Sequence, residues 1–191
     1  MKYSPILPAV SLLFLAACSG AGGGTSLDQK LQNPLYAQKY YEDLVSHMVS
    51  LQIHNDPILK KSDIKSVVDK ARLNGVTLAQ NAAKQKDKGP HGIFVSDNDE
   101  VAGSVLLLGT TLYIGPDFYL APGPSTHFYL TTVTDPRTVQ FPDNTAVDLG
   151  PVQDAYGAQT LHVPSSKDTA HTLVLFDTQM KKIFGFAQLA E

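Results

Sequence analysis

The sequence predicts a mainly β protein, in which a C-terminal antiparallel β-sandwich or small barrel follows an N-terminal α-helical hairpin. Two observations carry this reading. Apolar residues recur at helical spacing up to about Lys88 and at a spacing of two after Gly89-Pro90. Turn residues then punctuate the chain at the short intervals of a sandwich or barrel. A hydrophobic content of 43% is that of a globular chain and supplies the core both halves need.

The first element in chain order is a leader. Lys2 provides a positive start, and Ile6 to Ala17 form an apolar run broken by Pro8, shorter than the ~20 residues that cross a bilayer. The run ends in Leu15-Ala16-Ala17-Cys18, which resembles the lipobox of a bacterial lipoprotein. The resemblance implies a signal peptide over 1–17, removal of those residues, and acylation of Cys18 as a membrane anchor, a palmitate-type modification. Cys18 is the only cysteine, so its acylation leaves no thiol for a disulfide or for redox chemistry. The small residues of 18–26 form a tether, with Ser19 to Ser26 spanning about 16 Å as a flexible coil. By resemblance to lipoprotein sorting, Ser19 after the cysteine implies the outer membrane where a cell has two. The expected location is extracytoplasmic.

Residues 27–88 read as the helical hairpin. Asn33 is an N-cap and Pro34 occupies the first helical position. Tyr40, Leu44, Met48 and Leu51 then line one face, with Tyr41 and Val45 beside them. His54-Asn55-Asp56-Pro57 breaks the pattern, because proline disfavours helical geometry in the residue before it. A second helix restarts near Pro57 or Ser62, on a stripe of Ile64, Val67, Val68, Ala71, Leu78, Ala79 and Ala82 that Asn74-Gly75 weakens.

Residues 89–191 read as the β domain. Strands are expected at 92–96, 101–108, 111–114, 118–120, 126–131, 146–149, 160–163, 172–176 and 184–189, rich in β-branched and aromatic residues. Asp97-Asn98-Asp99, Gly115-Pro116-Asp117, Pro122-Gly123-Pro124 and Pro142-Asp143-Asn144 are among the turns between them. Charge divides along the same boundary: residues 27–88 carry ten Lys/Arg against seven Asp/Glu, and residues 89–191 carry four against eleven. The two halves are expected to pack together, the alternative being two solvated surfaces with no special contact. Neither has the dense basic stripe with interleaved aromatics that nucleic acid requires, so no nucleic-acid partner is expected.

An ordered set of landmarks runs through the β domain: Gly92-Ile93-Phe94, Val101, Gly103, Phe118, Pro122-Gly123-Pro124 before Phe128-Tyr129-Leu130, Val147-Asp148-Leu149-Gly150, Gly157, Gln159, Pro164, and Phe184-Gly185-Phe186-Ala187 with Leu189. This set resembles the DM-thirteen domain family of extracellular β domains. The resemblance implies an electron-transfer role centred on a cysteine seven residues before the Phe-Gly pair. In this chain that position is Asp177, a carboxylate, which cannot cycle between thiol, sulfenic acid and disulfide; it is expected to end a strand at the surface, with accepting hydrogen bonds or binding a cation as the alternatives.

No phosphate-cradling loop, nucleophile elbow or His-Glu-x-x-His pair occurs, so no catalytic residue and no cofactor are expected from motifs. His47, His54, His91, His127, His162 and His171 are scattered; a metal site would need them to converge, as His162 and His171 would on neighbouring strands. Asp97, Asp99 and Glu100 crowd one turn, as a Ca²⁺ loop would, at a spacing that matches no known loop. Tyr36, Tyr40 and Tyr41 read as the seam of the first helix, with docking as the alternative. The leading expectation is a lipid-anchored binding or interaction module at the cell envelope, without catalysis, joined to the membrane by Cys18 and to an envelope protein partner. The alternative is an electron-transfer domain using a bound cofactor or metal.

Overall fold

The computed structural model describes residues 26–96, 98, 100–164 and 170–190. Cys18, the leader and the tether up to residue 25 lie outside the described residues, as do Asp97 and Asp99.

Three helices open the described chain. A four-residue helix α1 (Leu27–Lys30) is held by a capping box between Ser26 and Gln29. It was not anticipated, since a single turn leaves no periodic stripe. Helix α2 (Pro34–Ile53) starts where its N-cap predicts, with Asn33 Oδ1 accepting from the backbone N–H groups of Leu35 at 3.0 Å and Tyr36 at 3.3 Å. Asn55, at φ 49°, turns the chain, and a 3₁₀ turn (Pro57–Lys60) leads into helix α3 (Ser62–Lys86).

Helix α3 runs through Asn74-Gly75 without a break, contrary to the weakening expected there. The reason is packing: Gly75 is buried where α3 crosses α2, and a Cβ there would meet Val45 Cγ2 at 2.8 Å. The glycine lets the two backbones approach, so its propensity cost is set against helix–helix contact.

Among the described residues ten short strands follow: β1 (His91–Ile93), β2 (Val101–Ala102), β3 (Ser104–Leu108), β4 (Thr111–Ile114), β5 (Tyr119–Leu120), β6 (Thr126–Thr131), β7 (Val147–Pro151), β8 (Gln159–His162), β9 (Thr172–Asp177) and β10 (Lys182–Gln188). The expected strand at 101–108 is split, because Gly103 at φ 129° breaks it into β2 and β3. All strand pairs are antiparallel and form sheets of order β1-β3-β4-β8, β10-β9-β6-β7 and β2-β5.

The two four-stranded sheets share one core. Val105, Leu112 and Ile114 from the first meet Phe128, Leu130, Leu173 and Leu175 from the second, and all seven are fully buried. Backbone bridges His91↔Ala190 and Val95↔Phe186 join β1 and β10 across the seam between the sheets. The result is a sandwich sewn along one side, with β7 and β8 left as open edges.

Strand β9 is buried on both faces. Its inward residues enter the shared core, and its outward Val174 and Phe176 pack in a second cluster with Tyr129, Phe186 and Phe141. The hairpin meets this domain at its root. Asn33 Nδ2 donates to the carbonyls of Ile114 at 2.8 Å and Gln159 at 3.5 Å, beside buried Leu35 and Ala37. The ion pairs Lys39–Asp43, Lys65–Asp69 and Lys182–Glu100 each join residues of the same half, and among the described residues the joint includes these hydrogen bonds and apolar contacts.

Candidate functional site

Asp177 ends β9 on the same side as Leu173 and Leu175, where the core meets the loops. Its side chain is fully buried and not at the surface, contrary to the expectation for an aspartate that ends a strand, because four donors of the protein close around it. Oδ2 accepts from Ser125 N–H at 2.8 Å and from the Thr126 hydroxyl at 3.1 Å; Oδ1 accepts from the N–H groups of Gln179 at 3.0 Å and Met180 at 2.9 Å. Burial disfavours the carboxylate, but the backbone N–H groups of Met180, Ser125 and Gln179 and the Thr126 hydroxyl outweigh it and hold Asp177 below its ordinary value. A Cβ on Gly123 would lie 2.6 Å from Oδ2, so the loop over the carboxylate closes only around glycine. Asp177 thus staples the 123–126 loop to the β9–β10 turn.

The remaining sequence candidates separate. Glu100 is salt-bridged to Lys182. His47 and His162 are exposed, and His54 Nδ1 sits 2.8 Å from the Ser50 carbonyl at the end of α2. His91 Nδ1 lies 3.3 Å from the carbonyl of Gly89. His162 and His171 do not occupy neighbouring strands: β8 pairs with β4 in one sheet, while His171 leads into β9, which lies between β10 and β6 in the other. Consecutive strands were expected to pair, and the chain instead changes sheet between them. Tyr36 stacks on Tyr40 at 6.3 Å, Tyr41 meets Tyr40 edge-on at 5.4 Å, and all three are half-buried along the first long helix.

The structure brings together residues that the sequence left apart. His127 on β6 directs Nδ1 at Asp148 on β7, 3.0 Å from Oδ1 and 2.9 Å from Oδ2. Tyr129, two residues along β6, stacks on the imidazole at 6.3 Å, and its register partner is Asp148. Burial first, then the charge of Asp148 and its hydrogen bond, push the Tyr129 phenol up. Phe141 and Phe176 pack edge-on against Tyr129 at 5.6 and 5.9 Å, which fixes the ring that supports His127.

His127 also forms part of the wall of an open cleft of about 320 Å³, whose other walls include Leu120, Pro122, Pro124, Val152 and Ala155. An imidazole held by a carboxylate at one nitrogen has its tautomer set and its other nitrogen available to a proton, a metal or a ligand. The 21-residue separation of His127 and Asp148 concealed the pair, because the register of β6 on β7 shifts between Phe128 and Tyr129. Strand alternation, which placed His127 and Tyr129 on one face, was the signal available.

A family model described as Electron transfer DM13 matches residues 93–189. No curated protein and no solved structure matches the chain.

Proposed function

The chain belongs to the DM13 family, described as electron transfer, and we propose that it passes electrons at the outer face of a membrane through a bound group and not through the side chain at position 177. The observation that carries this reading is the closure of Asp177. Its four hydrogen bonds all come from its own protein, so the carboxylate is committed to holding two loops together. Electron transfer then requires a group that accepts one electron from a reduced partner and returns it to an oxidised one.

The anchor belongs to the same proposal. Cys18 behind Leu15-Ala16-Ala17 carries the acyl chains, and among the described residues no helix is long and apolar enough to cross a membrane. Replacing Cys18 by serine moves the protein from the membrane fraction to the soluble extracytoplasmic fraction, measured by fractionation and immunoblotting. Retention in the membrane defeats the lipid anchor.

The central experiment is an absorption spectrum with elemental analysis of protein purified from its native envelope. A stoichiometric chromophore or transition metal is expected. Colourless, metal-free protein defeats the electron-transfer reading and leaves the second one, an interaction module for an envelope partner. That reading is favoured by Tyr119 and Tyr156, whose rings lie 5.6 Å apart with 37% and 62% of their surfaces exposed. Exposed tyrosines of this kind suit a protein interface, being large, rigid and amphipathic.

A further inference from the structure

We propose that two copies of the chain associate through one side of the helical hairpin, forming a four-helix bundle with a two-fold axis. The proposal stands apart from the electron-transfer reading and from any bound group.

The side is defined by how the helices meet. A Cβ on Gly75 would lie 2.8 Å from Val45 Cγ2 and 3.7 Å from Leu44 Cδ2, so the line of contact on α2 runs between those two residues. On α3 it runs through buried Val68, Gly75 and Ala82. At about 100° per residue, Tyr40, Leu44 and Leu51 fall on one flank of α2 and Gln52 on the other. Ile64, Val67, Ala71 and Leu78 likewise fall on one flank of α3 and Asp69 on the other. Gln52 Nε2 donates to Asp69 Oδ1 at 2.7 Å, which puts the polar flanks together on one side of the hairpin and the apolar flanks together on the other. The sandwich lies against a different part of α2, where the groove between them is lined on the helix by Leu35, Gln38, Lys39 and Glu42. On the apolar side Val67 stays 62% exposed and Leu78 41%.

Three features select a second copy as the occupant. First, the apolar pattern is symmetric about one line across both helices. Gln52 lies beside Asp69 and Val45 beside Gly75, so the level midway between these contacts falls near Met48 on α2 and Arg72 on α3. Leu44 and Leu51 stand either side of that level on α2, and Val67 and Leu78 stand either side of it on α3. Turning a copy over about this level sets Leu44 of each chain on Leu51 of the other and Val67 of each on Leu78 of the other. One rotation thus matches both helices, as an isologous interface requires.

Second, Asn74 stands exposed in the middle of the α3 stripe. A polar residue in the seam between paired helices fixes their register and number at some cost in stability. Third, the area suffices. A side about 30 Å long and about 20 Å wide gives ~600 Å² per copy and ~1,200 Å² in both, the lower end of specific interfaces. Its rim carries Lys60 and Lys70 with Asp43 and Asp63, a balance that offers no basic patch to anionic lipid.

His47, exposed on α2 beside the symmetry level, provides the first test. In His47→Cys, mild oxidation in the native host is expected to give a dimer-sized band on a non-reducing gel, reversed by reductant. Wild type, whose one cysteine is Cys18, and Gln80→Cys, exposed away from the apolar side of α3, are expected to stay monomeric.

Sedimentation of the full chain in density-matched detergent reads the affinity. Val67→Glu is expected to weaken the dimer by ~30-fold or more, because each copy then buries an unpaired carboxylate. Adding Leu78→Lys to it is expected to restore the dimer, since the introduced charges face each other between copies; recovery also shows that the single variant is folded. A monomeric wild type with no His47→Cys product overturns the proposal, as does a dimer indifferent to Val67→Glu. A folded double variant that stays monomeric overturns the pairing. A cross-linked product of another size assigns this side to a different protein, and loss of vesicle binding by Val67→Glu in a chain that is always monomeric assigns it to lipid; either result sinks the dimer.

Discussion

Asp177 occupies the position where the family resemblance places a cysteine, and its surroundings show what that position demands. Two N–H groups from one loop, with an N–H and a hydroxyl from another, converge on its two oxygens. The pocket is built for a negative charge. An amide there would set its NH₂ against N–H and O–H donors, so Asp177→Asn is expected to lower the melting temperature at neutral pH. The pH dependence follows from the lowered folded value: the contribution of Asp177 is present above the ordinary 3.8 and is lost as pH falls through the folded one. The gap in melting temperature between wild type and Asp177→Asn is therefore expected to shrink below about pH 4. The same donors would stabilise a thiolate, so a thiol introduced by Asp177→Cys is expected to titrate below the ordinary ~8.5, readable from thiolate absorbance against pH. An ordinary or raised value would mean that burial outweighs the donors. Counting along the sequence finds Asp177, but not its partners Ser125 and Thr126, which lie 52 and 51 residues away and meet it only through the β6–β9 register.

The elements were legible wherever local chemistry decided them. Asn33-Pro34 opens α2, and β4 and β6 begin and end where alternation and turn residues place them. Boundaries failed where a single residue answers to something distant. Gly103 is one case, and Gly75 is the clearer one, since a glycine inside a helix reads as a weak point until its neighbour is known. Here that neighbour is Val45, with a side chain stiff at χ1. Gly75→Leu is expected to destabilise the hairpin by ~1–3 kcal/mol through overpacking, measured by urea denaturation followed by circular dichroism. A gain in stability would show instead that α2 and α3 yield easily and that the close approach is incidental. Strand β9 teaches the same lesson from the other side. Its run Thr172-Leu173-Val174-Leu175-Phe176 reads as a buried strand, yet only the packed structure reveals the aromatic cluster that covers its outer face and steadies Tyr129 beside His127.

At the scale of the whole molecule, a basic hairpin and an acidic sandwich were expected to pack together, and among the described residues the hydrogen bonds that join them come from the neutral side chain of Asn33. Asn33 serves twice, capping α2 with its oxygen and gripping β4 and β8 with its nitrogen. Asn33→Ala removes the cap and leaves the Ile114 carbonyl without that partner, a loss of roughly 2–4 kcal/mol. Amides of α2 are expected to exchange faster with solvent in this variant while those of β9 keep their protection; equal acceleration in both would mean that hairpin and sandwich unfold as one unit. The two open strands of the sandwich bear on a different matter, which is crowding. Proteins confined to a surface meet at high local concentration, and an unpaired strand invites another chain to add to it. Here β7 carries Asp148 and ends in Pro151, which has no N–H to offer, and it is bent at the register shift and by Gly150 at φ 107°. On β8 the Gln159 carbonyl is already taken by Asn33. Both borders are therefore poor templates for a ribbon of stacked copies, a property that would keep the molecule from polymerising where the proposed anchor crowds it on a membrane.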